Sequence, residues 1–259
     1  MRITRAVVPS LFTTLNMFCG FLSMTYSMKN DVLNAVIFIL LGALFDSLDG
    51  VMARLTKSSS KFGVEFDSLS DVVTFGVAPS FLLYQYQFSS WGSFGVLISS
   101  LPMICGGIRL ARFNVQLSGF EKEYFTGLPI PAQAAIVCSF LATDFESLFP
   151  MLTISKSEFL TPLVLFVSLA MISTIRYDTL PKFTPRDIKL HPAKFTIVTF
   201  ATLIIIFTKG NALFPVFVLY LLSGIIRWLV TFFKHLRTSA LEEEEDDEET
   251  EAEFSRVDI

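Results

Sequence analysis

The residues able to do chemistry lie close together. Asp46, Asp49, Glu65, Asp67 and Asp71 fall within 26 consecutive positions of a chain whose other acids are mostly far away. Asp46 and Asp49 are three apart and Asp67 and Asp71 four apart, so on helices each pair stacks on one face. Their surroundings are strongly apolar, and an Asp at mid-membrane depth costs ~2.5–3.5 kcal/mol on insertion scales. Four aspartates facing one another therefore need positive charge between them. Hard divalent cations such as Mg²⁺ or Mn²⁺ favour carboxylate oxygens, and two of them bring four aspartates near neutrality. Gly50, Ala53 and Gly63 leave backbone exposed beside the acids. Each glycine alone could serve small-residue helix packing in a membrane, but a helical glycine is costly, and next to the acids a bound ligand explains it better.

The elements that must position these groups are membrane spans. The 259-residue chain is 52% hydrophobic and 17% charged, with 28 Phe. That composition excludes a soluble enzyme, a disordered protein and, as a leading idea, a reader of nucleic acid. Apolar stretches near the ~20-residue spanning length predict an all-α, polytopic bundle with eight spans at roughly 10–28, 32–54, 64–87, 91–113, 131–150, 158–176, 195–208 and 212–234. The seventh is short, and Asp144 and Glu146 interrupt the fifth. Eight spans put 17 Lys and Arg on one side of the membrane and three, Lys29, Lys156 and Lys209, on the other. This asymmetry predicts cytosolic N and C termini. No cleavable signal peptide is expected, because Arg2 and Arg5 lead into a run of full spanning length.

Depth follows from the helical rise. Asp46 precedes Arg54 by eight residues, or ~12 Å from the cytosolic end of the second span, and Asp67 and Asp71 enter the third span from the same side. All four are expected at headgroup level, where a lipid phosphate sits. Beyond a membrane domain of residues 1–237 lies an acidic tail, 238–259, which includes eight consecutive acids from Glu242 to Glu249. It has almost nothing apolar to bury and is expected to be solvated. Cys19, Cys105 and Cys138 lie in apolar runs at unrelated spacings and read as buried thiols, while His191 and His235 read as solvated surface positions.

The string Asp46-x2-Asp49-Gly50-x2-Ala53-Arg54-x8-Gly63-x3-Asp67-x3-Asp71 resembles the complete signature of the CDP-alcohol phosphatidyltransferases. Asp67-Ser-Leu-Ser-Asp71-Val-Val-Thr-Phe75-Gly76-Val-Ala-Pro79, Arg109-Leu-Ala-Arg112-Phe-Asn114, Thr126-Gly-Leu-Pro-Ile-Pro131 and the opening Pro9-Ser-Leu-Phe-Thr13-Thr-Leu-Asn16 are similar to its phosphatidylserine synthase branch. Ser10 stands where that branch usually has Asn. The similarity runs over about residues 9 to 135.

The resemblance implies a six-helix catalytic core, often dimeric, with two further spans at its C-terminal end. It implies transfer of the phosphatidyl group from CDP-diacylglycerol to the hydroxyl of L-serine, with release of CMP. By position, Asp46, Asp49, Asp67 and Asp71 become ligands of two Mg²⁺ or Mn²⁺ ions, and Asp71 also the base that takes the serine proton. Gly50, Ala53 and Gly63 let the cytidine nucleotide lie against the helices, and Arg54 closes on phosphate or stabilises its loop. Arg109 and Arg112 are either positive anchors at the cytosolic edge or a fork for the serine carboxylate or lipid phosphate. Trp91, Tyr84 and Tyr86 read as outer interfacial anchors. Glycerol 3-phosphate or an inositol phosphate is the alternative acceptor within the family. From another class, a cation transporter could also carry intramembrane acids, though no matching acidic pair occurs in the second half. A prokaryotic plasma membrane is the expected location.

Overall fold

The computed structural model describes residues 7–56, 60–118, 126–145, 155–175, 177, 192–208 and 210–234. Among them the regular structure is helical and no strand occurs. The helices are α1 (Val7–Met28), α2 (Val32–Thr56), α3 (61–91), α4 (Gly92–Ser118), α5 (Ile130–Ala142), α6 (Lys156–Ile172), α7 (Pro192–Phe207) and α8 (Leu213–Lys234). Each falls on one of the eight apolar stretches. The acidic tail, His191 and His235 lie outside the described residues.

Turn chemistry explains the first reversals. Between α1 and α2, Asn30 takes a left-handed φ of 58°, and Asp31 accepts from the Asn34 backbone N–H and side-chain amide at 3.2 and 2.7 Å. These bonds hold the Asp31 carboxyl below its usual range. From Lys61 to Val115 the chain is helical for 55 residues, or ~80 Å of rise, more than twice the ~30 Å hydrocarbon core. It must fold back, and it does so at Gly92, whose φ of 57° and ψ of −137° suit only glycine.

α3 is not a uniform α-helix. After its first segment, Lys61–Asp71, it widens into a π-helical stretch, Val72–Val77, returns to α geometry over Ala78–Leu83, widens again over Tyr84–Phe88 and ends in a 3₁₀ turn. The first widening begins right after Asp71, and such bulges concentrate at functional sites. Pro102 interrupts α4, and the next backbone N–H, that of Met103, donates across to Ser80 Oγ on α3 at 3.1 Å.

The interior is organised around α5, which is buried on every side from Gln133 to Leu141 and packs against α2, α3, α4 and α6. A helix apolar all round belongs at such a centre. Phe140 on α5 meets Phe145, Phe159 and Phe214 at ring separations of 5.1–5.5 Å. The helix stops at Ala142, short of the 150 expected from hydropathy. There Lys156 Nζ donates to the Leu141 and Thr143 carbonyls at 2.8 Å each, which satisfies acceptors that a helix C-terminus leaves open. Cys19, Cys105 and Cys138 are free, buried thiols, as expected.

Two glycines bring α1 and α2 hard against α3. A Cβ on Gly20 would lie 2.8 Å from Thr74 Oγ1 and 2.9 Å from Thr74 Cα; on Gly42 it would lie 2.5 Å from Thr74 Cγ2 and 3.0 Å from Asn16 Oδ1. Thr74 sits in the π-helical stretch, so this glycine seam holds α1 and α2 one turn beyond Asp71.

Candidate metal centre

α2 and α3 bring three of the four signature aspartates together. One carboxylate oxygen each from Asp46, Asp67 and Asp71 lies within 4.8 Å of the others. The Asp46 and Asp71 carboxylates are within hydrogen-bonding reach of each other, an arrangement that a shared proton or a bound cation relieves. Asp71 Oδ1 is buried and has no hydrogen-bond partner. Three convergent carboxylates, mutually repelling and short of donors, form the oxygen-rich donor set that a hard divalent cation takes. The residues fit the group.

Asp49 stands beside this trio. It is close enough to repel Asp46 and Asp67, but its Oδ2 accepts a short hydrogen bond from the Thr13 hydroxyl on α1. Its other oxygen is not committed by that bond. Glu65 points away and is exposed.

The small residues flank the cluster as expected. Gly50 and Ala53 are half-buried on α2. Gly63 donates its backbone N–H to Ser60 Oγ at 3.0 Å, the N-cap of α3, and a Cβ there would meet nothing but that oxygen within 4 Å. Arg54 lies in the last turns of α2, with its side chain outside the described residues.

The two arginines that sequence spacing had paired make different contacts. Arg109 is 7% exposed, faces Asp71 and Tyr220, and leaves Nε without a partner. Arg112 reaches α6 instead. Its guanidinium donates to the carbonyls of Ile172, Met171 and Ser173 at 3.1, 3.4 and 3.4 Å, at the C-terminus of α6. Segment 126–128 lies along the same end, with Gly127 N–H bonding the Ile175 carbonyl at 2.8 Å and Leu128 N–H the Ala170 carbonyl at 3.0 Å. Gly127 has φ of 84°, and a Cβ on it would strike the Met171 carbonyl. Arg112 thus ties α4 to α6 and to the 126–131 motif.

Spacing alone left several site residues without a role. Thr13 and Asn16 on α1, and Ser70 and Thr74 on α3, are all buried and all lie around the aspartates. Their signal was available as polar residues three and four apart on otherwise apolar helices. Tyr220, facing Arg109 from α8, carried no such signal.

A family model described as CDP-alcohol phosphatidyltransferase matches residues 6–169. A CDP-diacylglycerol--serine O-phosphatidyltransferase of Helicobacter pylori is 37% identical over 227 residues, covering 87% of this chain and 92% of that protein. A protein of the same name from Methanocaldococcus jannaschii is 35% identical, covering 84% and 92%. An archaetidylserine synthase of Methanothermobacter thermautotrophicus is 41% identical, covering 66% and 69%. Among solved structures, the Mycobacterium tuberculosis phosphatidylinositol phosphate synthase with CDP-DAG bound matches with a TM-score of 0.49 at 20% identity, covering 66% of this chain and 82% of that one.

Proposed function

We infer the reaction from one premise: the chain belongs to the CDP-alcohol phosphatidyltransferase family. It is an integral membrane enzyme that transfers the phosphatidyl group of CDP-diacylglycerol to the hydroxyl of L-serine, giving phosphatidylserine and CMP. The observation that carries this reading is the near full-length similarity to enzymes named for serine, together with the convergence of Asp46, Asp67 and Asp71.

Asp46, Asp49, Asp67 and Asp71 would hold two divalent cations, Mg²⁺ or Mn²⁺, which when bound would supply positive charge against the diphosphate and against the charge developing on departing CMP. The chain's own groups do the rest. Gly50, Ala53 and Gly63 give the cytidine nucleotide a flat backbone surface, and Arg54 closes on phosphate from the end of α2. Asp71 accepts the proton of the serine hydroxyl as its oxygen bonds to the phosphatidyl phosphorus and the bond from phosphorus to the CMP oxygen breaks. Arg109 is the carboxylate-binding candidate, because it is buried beside Asp71 and its Nε is uncommitted. Arg112, occupied by α6 carbonyls, acts on the site through the position of α4. The enzyme works as a homodimer in a prokaryotic plasma membrane, with active site and termini cytosolic, as the partition of Lys and Arg supports.

The test is an incubation of purified protein with CDP-diacylglycerol, Mg²⁺ or Mn²⁺ and a panel of alcohols, following CMP release. Release should depend on serine. Release only with glycerol 3-phosphate or an inositol phosphate overturns the acceptor. Membership of a transferase family leaves the cation-transporter alternative without an observation behind it.

A further inference from the structure

α1 carries none of the signature residues, yet it turns a polar pair toward the carboxylates. Thr13 and Asn16 are three apart, share a face and are 2% and 0% exposed. Four contacts tie them to the metal-binding residues or the turn beside them. The Thr13 hydroxyl donates to Asp49 Oδ2. The Thr13 carbonyl accepts from Ser70 Oγ at 3.0 Å, next to Asp71. The Asn16 carbonyl accepts from Thr74 Oγ1 at 2.9 Å, in the π-helical stretch after Asp71. The Asn16 amide faces the Asp71 carboxylate.

That last pair is unfinished. Asn16 Nδ2, Asn16 Oδ1 and Asp71 Oδ1 are all buried without a hydrogen bond of good geometry. Orphaned buried polar groups of this kind are costly, and a donor and an acceptor left facing each other answer each other. The amide also has little freedom to turn elsewhere, because Gly42 gives it only the space that a Cβ would take.

We propose that Thr13 and Asn16 are positioning residues of the metal centre, Thr13 orienting Asp49 through Oδ2 and Asn16 orienting the Asp71 carboxylate that its amide faces. The inference rests on the metal-holding role given above to the aspartates. Groups that orient metal ligands in this way usually change metal affinity when they are lost. Residues that serve only helix packing change stability and leave affinity alone.

The experiment is Mn²⁺ titration of the purified full chain in detergent, without CDP-diacylglycerol, with free Mn²⁺ followed by electron paramagnetic resonance. Thr13→Val and Asn16→Leu should each weaken Mn²⁺ binding by about 10- to 100-fold. Thr13→Ser, which restores the hydroxyl, should bind like wild type. Thr14→Val removes an exposed hydroxyl that bonds only the Ser10 carbonyl of its own helix and should change nothing. Should Asn16→Leu fail to fold, Asn16→Ala reads the same contact with less crowding. Wild-type affinity in folded Thr13→Val and in the folded Asn16 variant overturns the proposal. If the wild type binds Mn²⁺ no better than Asp71→Asn, the metal role falls and this inference with it. Tight Mn²⁺ binding without serine-dependent CMP release overturns the reaction alone.

Discussion

A carboxylate in this bundle is defined by what shares its space. Asp46, Asp67 and Asp71 converge on one another, whereas Asp49, from the same signature, is held by Thr13. Asp71→Asn keeps the size of the side chain and removes the proton acceptor, so serine-dependent CMP release should fall by about 10²- to 10⁴-fold, the usual worth of a positioned base. Mn²⁺ affinity should fall with it, because the same side chain is a metal ligand in this reading. The two arginines should part company in the same assay. Arg109→Ala should raise the serine KM, while Arg112→Ala should lower the thermal unfolding temperature in detergent, because it leaves the carbonyls of Met171, Ile172 and Ser173 without their charged donor. The convergence of Asp46, Asp67 and Asp71 was legible from sequence because acids are expensive in apolar runs and spacings of three and four fix a common face. The divergence of Arg109 and Arg112 was not legible. Spacing puts two residues on the same side of a helix but says nothing of which neighbour each side chain reaches.

At the scale of elements, hydropathy located every described helix, and what it missed were the ends and the irregularities. α5 stops at Ala142 because Lys156 from the next helix takes up its terminal carbonyls, a tertiary contact without a local signal. The π-helical stretches of α3 are invisible to an apolar count, since they change backbone hydrogen bonding and not composition. Gly92 was equally silent, although its conformation decides where α3 reverses into α4. Gly92→Ala meets no steric obstacle but must adopt backbone angles that cost of order 1–3 kcal/mol outside glycine. A lowered unfolding temperature with near-normal CMP release per folded molecule is the expected outcome, measured by thermal scanning alongside the activity assay.

For the molecule as a whole, the surface divides by depth of packing. α7 and α8 present rows of exposed apolar side chains, among them Ile197, Phe200, Ile206, Phe207, Leu219 and Phe233, as expected of helices bathed in lipid. Removing divalent ions with a chelator should abolish turnover without unfolding the helices, seen as an unchanged far-ultraviolet circular dichroism spectrum, and added Mg²⁺ or Mn²⁺ should restore it. The opposite corner of the bundle behaves differently. At Gly20 and Gly42 the backbones of α1 and α2 lie directly against Thr74, its side chain included, and neither glycine has a side chain of its own to yield. Three helices joined in this way are expected to act as an anvil, keeping one shape through turnover. Amide hydrogen exchange should therefore find the slowest protons of the protein along this seam and the fastest membrane-embedded ones in α7.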